Sequence, residues 1–156
     1  MLQHKYNVGF DFDGVIHSNV TPADIYGQRH PNIPFNTIPS TPFCKILNLI
    51  KMYNEHNYNI YIITARSSKS KQIIKNTLDN FGVSRYIPEQ NIITTADYYN
   101  GDKTYVLDRL NIIDFYDDSI KIFKSIQQAK KNNMLRNLHN CYMTIPEKNK
   151  IIKINL

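Results

Sequence analysis

The chain has only two cysteines, Cys44 and Cys141, and no CxxC pair. That excludes a cysteine-built metal cluster or redox motif. Buried free thiols are expected, with a single bridge as the other arrangement two cysteines allow. No run of about 20 apolar residues exists, so no helix is expected to cross a membrane. The apolar run near the N-terminus is too short for a signal peptide and leads into Asp11. An intracellular, cytoplasmic protein is therefore expected. Acids are the scarcer charge, 13 against 19 Lys and Arg, for a formal net charge of +6. Such a balance favours approach to polyanions such as nucleic acid. Lysine drift, with solubility as its only consequence, is the other reading. Basic residues are scattered, apart from Lys69, Lys71 and Lys75 and the pair Lys130-Lys131. Internal repeats and low-complexity tracts are also absent.

What is present is ordinary for a soluble globular chain: 42% hydrophobic and 21% charged residues. At 156 residues, one domain spanning 1–156 is expected. A chain of this size buries about 68–70% of its unfolded surface, so its core needs no disulfide or structural zinc.

The organising stretch is Val8-Gly9-Phe10-Asp11-Phe12-Asp13-Gly14-Val15-Ile16. It reads as an apolar strand, residues 5–12, that runs into two carboxylates one residue apart and then a glycine. Side chains two apart on a strand share a face, so Asp11 and Asp13 can point into one site. The C-terminal end of a strand is where open α/β sheets place their ligands. Gly14 frees the backbone to leave the sheet. Two acids this close need a shared proton or a cation between them.

Residues 17–41 carry Pro22, Pro31, Pro34 and Pro39 and few periodic apolar positions, and read as a loop or minimal lid. His17 lies close enough to Asp13 to touch a substrate. Thr41-Pro42 reads as a helix start, followed by Phe43, Ile46, Leu47, Ile50 and Tyr53 at helical spacing. Tyr58 to Ile63 is a buried strand that stops at Thr64-Ala65-Arg66. Ser67 or Ser68 opens a helix with Ile73, Ile74, Leu78 and Phe81 on one face and Gly82 as terminator. A short strand, 91–94, and a polar turn, 97–101, lead to Asp102, the cap of a helix bearing Lys103. Asn111 to Tyr116 is a strand ending at Asp117-Asp118. Ser119 opens a helix with Ile120, Phe123 and Ile126 inward. Residues 138–145 form a further strand, Pro146 breaks it, and 151–156 make an edge strand. This alternation implies an α/β fold with a mainly parallel sheet and helices on both faces.

Three strands thus end in polar residues, Asp11/Asp13, Thr64 and Asp117/Asp118, with Lys103 on a helix before the last. Singly, each has a plainer explanation. Asp117-Asp118 can cap a helix, Thr64 can merely end a strand, Lys103 can be a solvated lysine, and Arg66 a surface residue. In a parallel sheet, however, these strand ends lie along one edge, so the four elements can meet in space.

In this order the motifs resemble those of the haloacid dehalogenase-like (HAD) superfamily, over roughly residues 5–130. The first is Phe10-Asp11-Phe12-Asp13-Gly14-Val15-Ile16, with valine where the family commonly has threonine. The second is Ile62-Ile63-Thr64-Ala65-Arg66, the third Lys103, and the fourth Phe115-Tyr116-Asp117-Asp118-Ser119. The resemblance implies a three-layer Rossmann-like sandwich. It implies a Mg²⁺-dependent phosphomonoester hydrolase with Asp11 as nucleophile and an aspartyl-phosphate intermediate. Lys103 and Mg²⁺ would offset the repulsion between carboxylate and phosphate, about 4 kcal/mol per unit pair at ~4 Å and an effective dielectric of ~20. Thr64 would donate to a phosphoryl oxygen. Asp13 would protonate the leaving group and then activate water. Asp11, the Asp13 carbonyl and Asp117 would ligate Mg²⁺, with Asp118 beside them orienting water or Lys103. Gly14, Ala65, Arg66 and His17 are the substrate candidates. An acid at Asp13 points to a phosphatase or phosphotransferase rather than a pump-type ATPase. A receiver domain uses similar residues in a different order.

Neither gap between motifs is long enough for a separate cap domain, so the site is expected to be open. Open members of the superfamily tend to act on large substrates, and the net charge of +6 tilts the reading toward phosphorylated nucleic-acid ends. A small nucleotide or sugar phosphate is the alternative if residues 17–41 close as a lid. An alternative of another class is a binding module that keeps the fold without turnover.

Overall fold

A computed structural model describes residues 6–18, 41–98 and 102–156. The lid expected over 17–41 therefore lies almost wholly outside the described residues. The described strands are β1 (Asn7–Phe10), β2 (Asn59–Thr64), β3 (Ile92–Thr94), β4 (Ile112–Asp117), β5 (Asn140–Ile145) and β6 (Lys150–Ile154). The described helices are α1 (Cys44–Glu55), α2 (Lys71–Asn80), α3 (Thr95–Tyr98), α4 (Lys103–Arg109) and α5 (Ile120–Lys131).

The strands form one six-stranded sheet in the order β3-β2-β1-β4-β5-β6. All neighbours pair in parallel except the edge pair β5–β6, which is antiparallel. Successive residues of a strand face opposite sides, and the core divides accordingly. Val8, Phe10, Ile60 and Ile62 pack with α1 and α2 residues such as Ile46, Ile50, Ile74 and Leu78. Ile63 and Phe115 pack on the other face with Val106 and Leu107 of α4 and Phe123 and Ile126 of α5. The molecule is thus an α/β sheet flanked by helices on both faces. Gly9 lies in the central strand where an added Cβ would stand 3.0 Å from Ile63 Cδ1 and 3.1 Å from Phe115 Cδ1. The glycine leaves room on this face for the side chains of the neighbouring strands, Ile63 of β2 and Phe115 of β4.

Each of the four longer helices stops at a residue with positive φ one place past its C-cap: Asn57, Gly82, Asn111 and Asn133. Asparagine tolerates this left-handed conformation better than other side-chain-bearing residues. A chain with five glycines uses its asparagines for the same purpose.

Several local expectations change. Thr41-Pro42 does not cap α1. Ser18 N donates to Thr41 O (2.8 Å) and Phe43 N to Ile16 O (3.0 Å), so residues 41–43 form a small ladder with 16–18 and the helix begins at Cys44. Asp97 falls within the short helix α3, while residues 99–101 lie outside the described residues. Ile120 is 60% exposed rather than inward, while Phe123 and Ile126 of the same helix are buried as expected. Both cysteines are free, but Cys44 is exposed on α1 and only Cys141 is buried.

Candidate active site

Register alone brings the acids together. Phe10 pairs with Tyr116 in β4 and with Ile62 in β2. Asp11 N continues the β1–β4 ladder by donating to Tyr116 O at 2.9 Å. The next residue on each strand, Asp11 and Asp117, therefore leaves the sheet side by side, with Thr64 at the neighbouring strand end. Ligand oxygens of Asp11, Asp117 and Asp118 lie within 4.8 Å of one another.

Lys103 reaches this cluster from the start of α4, which is fixed by its cap: the Asp102 carboxylate accepts from Thr104 N at 3.0 Å. Lys103 Nζ lies 2.9 Å from Asp11 Oδ1 and 2.9 Å from Asp117 Oδ2. The other Asp117 oxygen accepts from Ser119 N at 2.9 Å. Asp117 thus faces the site and also holds the backbone of Ser119, the residue that occupies the N-cap position of α5.

After Asp11 the chain turns sharply. Ile16 N donates to Phe12 O at 3.0 Å, and Gly14 adopts φ +76°, which is costly for a residue with a Cβ. This turn presents Asp13 to Arg66 and His17. Arg66 donates to both Asp13 oxygens, from Nε at 2.7 Å and NH2 at 2.6 Å. His17 Nε2 lies 3.0 Å from Asp13 Oδ1, and its Nδ1 lies 2.8 Å from the Ser18 carbonyl. The Thr64 hydroxyl oxygen accepts from Arg66 N at 3.2 Å, which leaves its own O–H as a donor.

Burial and like charge strain the cluster electrostatically. Burial, then repulsion from Asp117, holds the Asp11 carboxyl well above the usual range, and Lys103 offsets only part of this. Burial and the same neighbour lift Asp118 to about 6. Burial alone would lower the Lys103 pKa, but Asp11 and Asp117 outweigh it and raise it. Burial also pushes Asp13 upward, yet hydrogen bonds from His17 and Arg66, with the Arg66 charge, bring it down to about 2. Fully ionised, the three carboxylates exceed the one ammonium by two negative charges. A divalent cation with a preference for hard oxygen ligands matches that donor set in charge and chemistry.

Of the residues expected at the site, Asp11, Asp13, Thr64, Ala65, Arg66, Lys103, Asp117 and Asp118 line one cavity of about 890 Å³. Gly14 and His17 are not among its lining residues. The Gly14 carbonyl accepts from Thr144 Oγ1 at 2.6 Å, which ties the turn to β5, and His17 holds Asp13 from behind. The reading from sequence missed Ser119, Lys121, Ile122 and Ser125, all at the start of α5, which complete the lining. Their nearness to Asp117-Asp118 along the chain was the available signal.

No family model matches this chain. The chain is similar to an uncharacterized protein of Acanthamoeba polyphaga mimivirus, with 37% identity over 144 residues. That alignment covers 90% of the present chain and 28% of the viral protein, so the chain spans little more than a quarter of its relative. Among the described residues, no helix is long and apolar enough to cross a membrane.

Proposed function

We propose that this chain is a Mg²⁺-dependent phosphomonoester hydrolase of the HAD-like, capless type, working in the cytoplasm through an aspartyl-phosphate on Asp11. The observation that carries the reading is the convergence of Asp11, Asp117 and Asp118 around one point with Lys103 bridging two of them. Asp11, the Asp13 carbonyl and Asp117 would hold the metal, with Asp118 beside them. Bound Mg²⁺ would neutralise phosphoryl oxygens and the excess charge of the acids.

The protein groups divide the remaining work. Asp11 attacks phosphorus, and the bond to the leaving oxygen breaks as the new one forms. Lys103 stays protonated, because its pKa is raised, and screens the nucleophile from the phosphate. Thr64, its hydroxyl proton unclaimed by Arg66, donates to a phosphoryl oxygen. Asp13 is ionised in the substrate-free protein and is thus set to take a proton from the water that later cleaves the acyl-phosphate. Its earlier role, protonating the leaving oxygen, requires Asp13 first to take up a proton from solvent; an incoming phosphate dianion competes for the Arg66 guanidinium and so removes a contact that holds the carboxylate ionised. The preferred substrate class is a large phosphate ester, phosphorylated nucleic-acid ends above all.

Hydrolysis of an aryl phosphate with Mg²⁺, and after chelation, tests the reading. Metal-dependent turnover that is lost in Asp11→Asn supports it. Absence of turnover in the metal-loaded wild type, on the aryl phosphate and on phosphorylated dinucleotides alike, refutes it.

A further inference from the structure

Three cations line the cavity: Arg66, Lys103 and Lys121. Two are already committed, Arg66 to both oxygens of Asp13 and Lys103 to Asp11 and Asp117. Lys121 has no carboxylate partner among the described residues. It stands on the first turn of α5, three residues past Asp118, and is exposed. It lines the same cavity as Asp11, Asp117 and Asp118. Half-buried Ile122 lines the cavity beside it and supplies an apolar wall. Ser125, one turn on, donates its hydroxyl proton to the Lys121 carbonyl at 3.2 Å and so leaves the lysine as the charged donor on this rim. An uncommitted cation above a site rich in carboxylates is placed to meet an anion that arrives with the substrate.

We propose that Lys121 forms a second anion subsite, which binds the phosphodiester adjacent to the phosphoryl group being removed. The inference rests on the phosphatase reading and narrows it: the site selects phosphorylated oligonucleotide ends over mononucleotides and sugar phosphates. Lys121 touches the substrate away from the reacting atoms and is a specificity residue.

The test compares a 5′- and a 3′-phosphorylated dinucleotide with an aryl phosphate, for the wild type, Lys121→Ala, Lys121→Arg and the control Lys124→Ala. Lys124 is exposed on the same helix and does not line the cavity. A charge-assisted contact of this kind sets the expected loss: kcat/KM of Lys121→Ala on the better dinucleotide falls about tenfold, mainly through KM. Its rate on the aryl phosphate stays within about twofold, Lys121→Arg recovers most of the loss, and Lys124→Ala resembles the wild type. The salt dependence of KM on the dinucleotide also weakens in Lys121→Ala, as loss of a charge contact requires. Aryl phosphatase activity with equal effects of Lys121→Ala on both substrates, or none on either, overturns the subsite and leaves the phosphatase reading standing. Failure to hydrolyse any of the three substrates overturns both.

Discussion

Lys103→Met removes the one cation held between two buried acids. The side chains of Lys103 and Asp11 are each 9% exposed and that of Asp117 is 1% exposed, so water cannot replace the lost ammonium without rearrangement. At the observed 2.9 Å, the gross attraction is about 6 kcal/mol per pair for an effective dielectric of ~20. Desolvation of all three groups cancels much of it, and breaking a buried pair by removing one partner typically costs about 3–5 kcal/mol net. Methionine keeps most of the side-chain volume, so the charge dominates the change. The cost also depends on pH. A carboxyl whose folded pKa is raised contributes stability that is complete below its unfolded pKa and is lost as pH rises through the folded value. Asp11, raised already and more so without Lys103, relieves the repulsion by taking up a proton. Urea unfolding in metal-free buffer should therefore show a deficit of about 3 kcal/mol or more at pH 7, smaller at pH 5, and partly recovered by Mg²⁺. A variant as stable as the wild type at pH 7 would refute the electrostatic account of the cluster.

Burial and Asp117 lift Asp118 to about 6, so protons should compete with Mg²⁺ below that pH. Calorimetric titration should show affinity falling from pH 7 to 5, less steeply in Asp118→Asn; a flat profile counts against the assignment. In metal-free protein the same shift predicts stability that grows as pH falls from above 6 toward 4, and saturating Mg²⁺ should abolish that gain. Releasing the Asp13 clamp with Arg66→Met should raise the Asp13 pKa from about 2, observable by carboxyl NMR titration; an unmoved value would mean that His17 alone sets it. Gly9→Val, against contacts of 3.0 and 3.1 Å, should cost about 1–3 kcal/mol by overpacking, and unchanged stability would show that Ile63 and Phe115 yield freely.

Much of this architecture was legible because strands and their ends leave strong local marks. Apolar runs that stop at Asp11, Thr64 and Asp117 announced both the parallel sheet and the edge where the site lies, since register does the rest. Helix starts were harder. Thr41-Pro42 has cap chemistry, but its backbone is claimed by residues 16–18, a contact set by the turn at Gly14 rather than by local preference. Nothing along the chain marks the partners of buried Asp114. It accepts from Tyr53 Oη at 3.0 Å and Asn140 Nδ2 at 2.8 Å, partners on α1 and β5. The need for glycine at position 9 likewise shows only when Ile63 and Phe115 of the two neighbouring strands stand beside it. Arg66 and His17 were visible as neighbours of the motifs, whereas their shared hold on Asp13 depends on a turn that spacing does not encode. Lys121 carried only its nearness to Asp117-Asp118 as a mark, for a lysine on an amphipathic helix otherwise reads as solvated.

The central claim is that Asp11 receives the phosphoryl group. Mg²⁺-loaded protein mixed with an excess of a reactive phosphomonoester, quenched in acid and mapped by peptide mass spectrometry, tests it directly. The account predicts an acid-stable, base-labile phosphoryl group on the peptide carrying Asp11, absent after Asp11→Asn. Turnover that persists in Asp11→Asn, or a phosphoryl group trapped on another residue, would contradict it.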